Sequence, residues 1–294
     1  MIVVTLISAR GRAGLSKDVA EGAAALLGSA APDWLEAGVA CDLRLDAAPS
    51  DETIAELRRR LAEARLDVVV QEEATRRKRI LIADMDSTMI GEECIDELAA
   101  MVGIKDEVAT ITARAMNGEI AFEPALVERV ALLKGLDESV IGEVIRTRIT
   151  LAAGGPALVA TMRANGARTA LVSGGFTAFT SVISERLGFH ENRANRLVIA
   201  DGKLTGEVER PILGREAKVE ALEAIAAELG LTTADAIAVG DGANDLGMIG
   251  IAGSGVAVHA KPSVASAAPH RIDHADLTAL LFMQGYRGEE IVEG

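Results

Sequence analysis

Four short polar constellations in this sequence stand where apolar runs end. The first is "DMDST", Asp84 to Thr88, directly after the apolar run "ILIA". The second is "LVSGG", which carries Ser173 and Gly174. The third is Lys218, early in a helical stretch from Arg215 to Leu229, and the fourth is "VGDGANDLGMI", with Asp241, Asn244 and Asp245. Each alone has an ordinary explanation. An Asp at a strand end caps a helix, "SGG" makes a turn, a lone helical Lys faces water, and "GDGAND" is a Gly-rich turn. All four in this order, each at an element end, fit phosphoryl transfer. Asp84, Asp86 and Asp241 would repel one another in a small site, and a hard divalent cation on oxygen ligands resolves that repulsion, which points to magnesium. Such a metal neutralises a phosphate and organises in-line attack. A hydroxyl and backbone N–H groups hold phosphate oxygens, and a lysine stabilises the charged transition state. One metal-held carboxylate can then act as nucleophile, while a second serves as acid and base.

These residues need a frame that brings them to one edge. From Arg79 onward the apolar runs "ILIA", "ARTALVSGG", "AIAVGDG" and "SGVAVHA" are separated by helical stretches. That pattern predicts an α/β fold, a doubly wound parallel sheet whose ligands bind beyond the carboxyl ends of its strands. About 80 residues separate the first two of these strands, far more than one crossover helix needs. Glu92 to Met101, Lys105 to Met116, Glu123 to Leu133 and Asp137 to Thr147 read as helices, so a helical cap over approximately residues 90–155 is expected to act as a lid. Residues 1–75 read as a separate small α+β unit, and residues 76–294 as the catalytic domain. The first unit has strands at Ile2 to Ser8, within Trp34 to Leu45 and at Leu66 to Val70. Its helices are Lys17 to Leu27 and Asp51 to Ala64, the latter capped by Ser50 or Asp51. Between the units, Arg76, Arg77, Lys78 and Arg79 read as a solvated linker face.

Composition narrows the functional classes. The chain has 294 residues, 49% hydrophobic and 25% charged, with a formal net charge of −14. That charge argues against a nucleic-acid binder, since no excess of Lys and Arg neutralises phosphates. It leaves room for an anionic small substrate at a local cationic or metal-bearing pocket. The two cysteines, Cys41 and Cys94, form no metal-type spacing, and Cys94 reads as a small buried residue. His190, His259, His270 and His274 show no metal-like clustering and receive no catalytic role. No secretory leader or membrane-length apolar run is visible, so a soluble, cytoplasmic protein is expected.

The motifs together resemble the haloacid dehalogenase (HAD) superfamily of aspartate-nucleophile phosphatases. Within it, "DMDSTMIGEECIDELA" and "GDGANDLGMI" are similar to the phosphoserine phosphatase family, over roughly residues 79 to 285. The resemblance implies hydrolysis of O-phospho-L-serine to serine and phosphate through an aspartyl-phosphate, the last step of serine biosynthesis. The same class acting on another small phosphomonoester, by hydrolysis or phosphotransfer, is the alternative. A phosphoacceptor signalling domain uses similar groups but needs neither a large lid nor an acid two residues after the nucleophile. By resemblance, Asp84 is the nucleophile and Asp86 the general acid/base. Magnesium is held by the Asp84 carboxylate, the Asp86 backbone carbonyl and Asp241. Ser173, Gly174 and Lys218 bind the phosphoryl group, Asn244 contacts the phosphate region, and Asp245 supports Lys218 or the metal's waters. In the cap, "AMNGEIAFEPALVERVALLKGL" matches substrate-contacting positions at Met116, Phe122 and Arg129. Arg129 would grip the substrate carboxylate in a bidentate fork, Glu93 would receive its ammonium, and Met116 and Phe122 would shield it from water. The first unit is similar in outline to ACT-like domains that precede some members and bind amino acids or pair between subunits. A homodimer through this unit and a packing module without ligand are both open readings of it.

Overall fold

The computed structural model describes residues 1–116 and 119–294, apart from the side chain of Met116. The N-terminal unit runs β1 (Ile2–Ile7), α1 (Lys17–Leu27), β2 (Asp33–Glu36), β3 (Ala40–Leu45), α2 (Asp51–Leu61) and β4 (Asp67–Glu72). Its strands form one antiparallel sheet in the order β2-β3-β1-β4. Three strands are expected from sequence and four are found. The stretch Trp34 to Leu45 turns back on itself near Gly38, whose φ of 76° suits a residue without Cβ. Both helices start at serine caps: Ser16 Oγ accepts from Val19 N, and Ser50 Oγ accepts from Thr53 N at 3.2 Å. The second helix stops at Leu61, a turn short of the sequence expectation.

Alternation along β1 and its neighbours makes both faces of this sheet apolar. One face, with Val4, Leu6, Leu43 and Val68, packs on α1 and α2 through Ala20, Ala24, Ile54 and Leu57. The other, with Ile7, Val39, Ala40 and Val69, merges into the main core against Leu281, Phe282 and Tyr286. The basic run between the units is solvated only in part: Arg77 and Arg79 are exposed, while Arg76 and Lys78 are buried. Arg76 Nη1 meets Asp42 Oδ2 at 2.7 Å with both groups buried, and Lys78 Nζ donates to the Ala234 carbonyl at 2.8 Å. The Arg77 guanidinium lies 3.7 Å over the Tyr286 ring. A buried Asp42 needs a cation, and the linker supplies it.

The larger unit begins with β5 (Ile80–Ala83), followed by the helices α3 (Cys94–Met101), α4 (Lys105–Met116), α5 (Phe122–Ala131) and α6 (Ser139–Thr147). The chain returns through α7 (Gly155–Ala164) to β6 (Arg168–Phe176), α8 (Thr177–Leu187), β7 (Glu191–Asn195), and a hairpin of β8 (Leu197–Ala200) and β9 (Lys203–Val208). It ends with α9 (Arg215–Glu228), β10 (Ala236–Gly240), α10 (Leu246–Ile251), β11 (Ser254–Val258), α11 (Pro262–Ala267), β12 (His270–Ile272) and α12 (Ala279–Met283). Six strands form a parallel sheet in the order β12-β11-β10-β5-β6-β7. Its two faces are covered separately. Leu81, Leu171 and Val239 pack with Leu158, Phe179 and Ile183, while Ile80, Ile82 and Val172 pack with Leu222, Ile225 and Met248.

The four-helix insertion leaves and returns through two adjacent segments. Ile90 and Leu151 form a bridge, Gly91 N donates to Thr150 O at 3.0 Å, and Glu92 takes the Thr150 N–H and hydroxyl. The β8–β9 hairpin joins the insertion from below. Gly135 N donates to Leu204 O, and Leu204 N to Leu136 O, both at 2.8 Å. The hairpin turns at Asp201-Gly202, both with positive φ. No helix among the described residues is long and apolar enough to cross a membrane.

Candidate active site

The carboxyl ends of β5, β6 and β10 converge, as an open parallel sheet requires of a ligand site. Asp84 directly follows β5, and its N–H donates to the Val239 carbonyl of β10 at 3.0 Å. Lys218, in the first turn of α9, reaches between strands. Its Nζ lies 2.7 Å from Asp84 Oδ1 and 2.5 Å from Asp245 Oδ1, and all three residues are buried. Asp245 is held against the end of β10, where a Cβ on Gly240 would collide with its carboxylate. Thr88 Oγ1 donates to Asp241 Oδ1 at 3.2 Å.

This is a crowded acidic centre with too few cations. Burial and the nearby Asp245 charge raise the Asp84 pKa well above the usual carboxylate range, with Lys218 opposing. Burial and Asp245 likewise raise Asp241. Burial works against the Lys218 charge, but Asp84 and Asp245 outweigh it and hold the ammonium protonated. Asp84, Asp241 and Asp245 each offer an oxygen, and these oxygens all lie within 4.8 Å of one another. An all-oxygen set of this kind suits a hard divalent cation. The Asp86 carboxylate does not belong to this group. It faces away, with Oδ1 accepting from Cys94 N at 2.9 Å and Oδ2 from Ser173 Oγ at 3.3 Å. Any metal contact by Asp86 therefore falls to its backbone carbonyl, and Asp245 stands in the acidic group instead. Burial raises the Asp86 pKa, against the Cys94 N–H, which suits a proton carrier.

Ser173 and Gly174 lie at the end of β6. Gly175 N donates to Ser173 Oγ at 2.9 Å. A Cβ on Gly174 would stand 3.0 Å from the Phe122 ring, and one on Gly175 would stand 2.9 Å from Asp86 Oδ2. Phe122, at the start of α5, thus roofs the loop from the insertion. Asn244 lies beside Gly242 in the loop after β10, where its side-chain oxygen crowds the place of a Gly242 Cβ.

Glu93 and Arg129 both lie within the field of the Asp86 charge. Glu93 Oε1 accepts from Ser87 Oγ at 2.8 Å, with Ser87 in a left-handed conformation at φ 54°. Loss of water around the carboxylate, then the Asp86 charge, push the Glu93 pKa up to about 7. Arg129 Nε donates to Ala125 O at 3.2 Å, and Nη1 reaches Thr112 Oγ1 at 3.4 Å. Among the described residues no carboxylate lies in ion-pair range of Arg129; Glu128 on the same helix pairs with Arg114. Burial lowers the Arg129 pKa, and the charges of Asp96, Glu93 and Asp86 oppose this. The side chain of Met116 lies outside the described residues. Thr88, the Cys94 N–H, Gly175 and Asn195 escaped sequence reasoning. Thr88, Cys94 and Gly175 lie inside the quoted motifs, which is a signal that points to them; Asn195 lies outside all of them. His259 Nε2 is bonded to the Ala275 carbonyl, and Cys94 is buried with its thiol pushed up by burial.

This arrangement matches known proteins. The model of the haloacid dehalogenase-like hydrolases matches residues 81–250. A phosphoserine phosphatase of Streptomyces coelicolor is 44% identical over 216 residues, 74% of this chain and 52% of that protein. The chain thus spans about half the length of that curated relative. A HAD family hydrolase from Salmonella enterica serovar Typhi superposes with a TM-score of 0.84 at 30% identity, covering 96% of this chain and 98% of the other. The structure of a phospho-aspartyl intermediate analogue of phosphoserine phosphatase superposes with a TM-score of 0.66 at 41% identity, covering 70% and 98%.

Proposed function

Because this chain belongs to the haloacid dehalogenase-like hydrolase family, we propose that it is a magnesium-dependent phosphomonoesterase that hydrolyses O-phospho-L-serine to L-serine and phosphate. The observation that carries the reading is the pairing of Asp84 with Lys218 at 2.7 Å, with Glu93 and Arg129 close enough to the neighbouring Asp86 to feel its charge. A phosphate, an ammonium and a carboxylate on one small molecule match those groups in order. The names of the relatives support the same substrate.

Asp84 is the nucleophile in this reading. Its carboxylate is anchored by Lys218 and by the Met85 N–H at 2.8 Å, which leaves Oδ2 for attack on phosphorus. The P–O bond to the serine oxygen breaks as the Asp84 Oδ–P bond forms. Asp86, protonated, gives its proton to the departing serine oxygen, then takes one from the water that attacks the aspartyl-phosphate. Ser173 and Lys218 hold the transferring phosphoryl oxygens. Asp84, Asp241 and the Asp86 backbone carbonyl would hold the magnesium, with Asp245 beside them; the ion supplies charge neutralisation and fixes the phosphoryl orientation. Arg129 takes the substrate carboxylate, Glu93 its ammonium, and Phe122 excludes water. The N-terminal unit is read as ACT-like, on its four-stranded βαββαβ order. Because one of its faces is covered by the chain's own C-terminal segment, a homodimer through it would use its helices or edges.

The test is magnesium-dependent phosphate release from O-phospho-L-serine against a panel of small phosphomonoesters. Arg129→Ala and Glu93→Ala should each raise KM for phosphoserine by about tenfold or more, as expected for losing a charged hydrogen bond. They should leave esters that lack an amino-acid moiety unaffected. Normal hydrolysis of phosphoserine by both variants would overturn the serine-specific reading.

A further inference from the structure

Asn195, the last residue of β7, is 2% exposed and belongs to none of the four motifs. Its amide makes three hydrogen bonds. Nδ2 donates to the Gly174 carbonyl at 2.9 Å and to the Leu213 carbonyl at 3.1 Å, and Oδ1 accepts from Leu213 N at 2.7 Å. One side chain therefore ties the end of β6 to the segment that enters α9, the helix of Lys218. The Gly174 contact has a directional consequence. In a trans peptide the C=O and N–H point to opposite sides. The Gly174–Gly175 peptide is trans, the cis bond among the described residues being Arg210–Pro211. With its carbonyl pinned toward Asn195, its N–H is aimed the other way, and it donates to Ser173 Oγ, which in turn contacts Asp86. Two successive glycines leave this peptide little steric resistance to rotation. Rotated, it would present a carbonyl oxygen to an incoming phosphate.

We propose that Asn195 is a positioning residue that locks the Gly174–Gly175 peptide with its N–H toward the phosphoryl site. The proposal rests on reading that site as a phosphoryl site, and it deepens that reading by one residue the motifs do not contain. Asn195 touches no substrate. It acts through the Gly174 carbonyl, and its second and third hydrogen bonds keep the approach to Lys218 in register with the same loop. The segment so fixed continues into contact with the lid: Gly214 lies under Phe122 and Arg210 pairs with Glu123.

The test uses the full chain, magnesium-loaded, labelled with nitrogen-15 glycine and titrated with inorganic phosphate. In the wild type the Gly175 amide signal should shift on phosphate addition. Asn195→Asp keeps the size and the acceptor for Leu213 N but turns a carboxylate toward two carbonyls. Asn195→Ala removes the bonds without adding charge. Both should raise the phosphate Kd by about tenfold or more, the scale of a hydrogen bond to a charged group, and should reduce the Gly175 shift. Thr180→Val removes the buried hydrogen bond from Thr180 to Asn192 on the same strand. It should lower the melting temperature without changing phosphate affinity. Wild-type phosphate affinity in both Asn195 variants, or no Gly175 shift in the wild type, would overturn the proposal. Phosphate binding does not depend on serine recognition, so failure of the phosphoserine assay with these titrations intact would count against the substrate reading alone.

Discussion

Under the proposed function, Glu93 would carry specificity and pH dependence together. Its carboxylate accepts from Ser87, and loss of water with the nearby Asp86 charge pushes its pKa up to about 7. Below that value it is increasingly neutral and attracts an ammonium weakly; above it the carboxylate is charged. KM for phosphoserine should therefore fall as pH rises through about 7, and Glu93→Gln should flatten that part of the profile. Initial-rate measurements across neutral pH check this. The residues of the site divide sharply by how they could be read. Asp84, Asp86, Asp241 and Lys218 were legible because their chemistry lies in the side chain and their spacing follows strand ends. Asn195 and the Cys94 N–H were not, because each acts on a group brought to it only by tertiary folding.

Elements were legible where their hydrophobic period was long. The four central strands announce themselves as apolar runs, and the cap helices as 3.6-residue periods. Edge strands β7, "ENRAN", and β12, "HRI", are short and rich in polar residues, so no apolar run marks them. The β8–β9 hairpin did carry a signal, the Asp201-Gly202 turn between short apolar stretches, which the reading passed over. The strand β12 has a measurable consequence. Burial, with the charges of Lys78 and Arg58, pushes the His270 pKa down from 6.5 to about 4. The folded chain thus keeps His270 neutral where the unfolded chain protonates it. Its contribution to stability is present above about 6.5 and is lost as pH falls toward about 4. Melting temperatures across that window should drop in the wild type and drop less in His270→Gln.

At the scale of the whole molecule, the two units share one core and a buried ion pair. Arg76 comes from the connecting segment and Asp42 from the middle of the N-terminal sheet, where Thr5 Oγ1 also donates to Asp42 at 2.8 Å. Asp67 of β4 accepts from the backbone N–H groups of Asp273, His274 and Ala275, which fixes the strand to the loop after β12. Removing one member of such a pair leaves a buried charge, so Arg76→Ala should cost about 3 kcal/mol or more. Pairing it with Asp42→Leu should recover most of that loss. Urea unfolding should show a single transition for both units, since their cores are continuous. A run of four cations carries no sequence signal for which of them find buried partners; here Arg76 and Lys78 do, while Arg77 and Arg79 stay exposed. The proposed reaction would draw on this whole assembly, and its covalent step is the part most directly open to measurement. Asp86→Asn, expected to slow hydrolysis of the proposed intermediate more than its formation, is mixed with O-phospho-L-serine and magnesium, quenched in acid and analysed by peptide mass spectrometry. The phosphoryl group should be found on Asp84. A phosphoryl group on another residue, or none while the wild type releases phosphate from phosphoserine, would contradict the assignment of Asp84 as nucleophile.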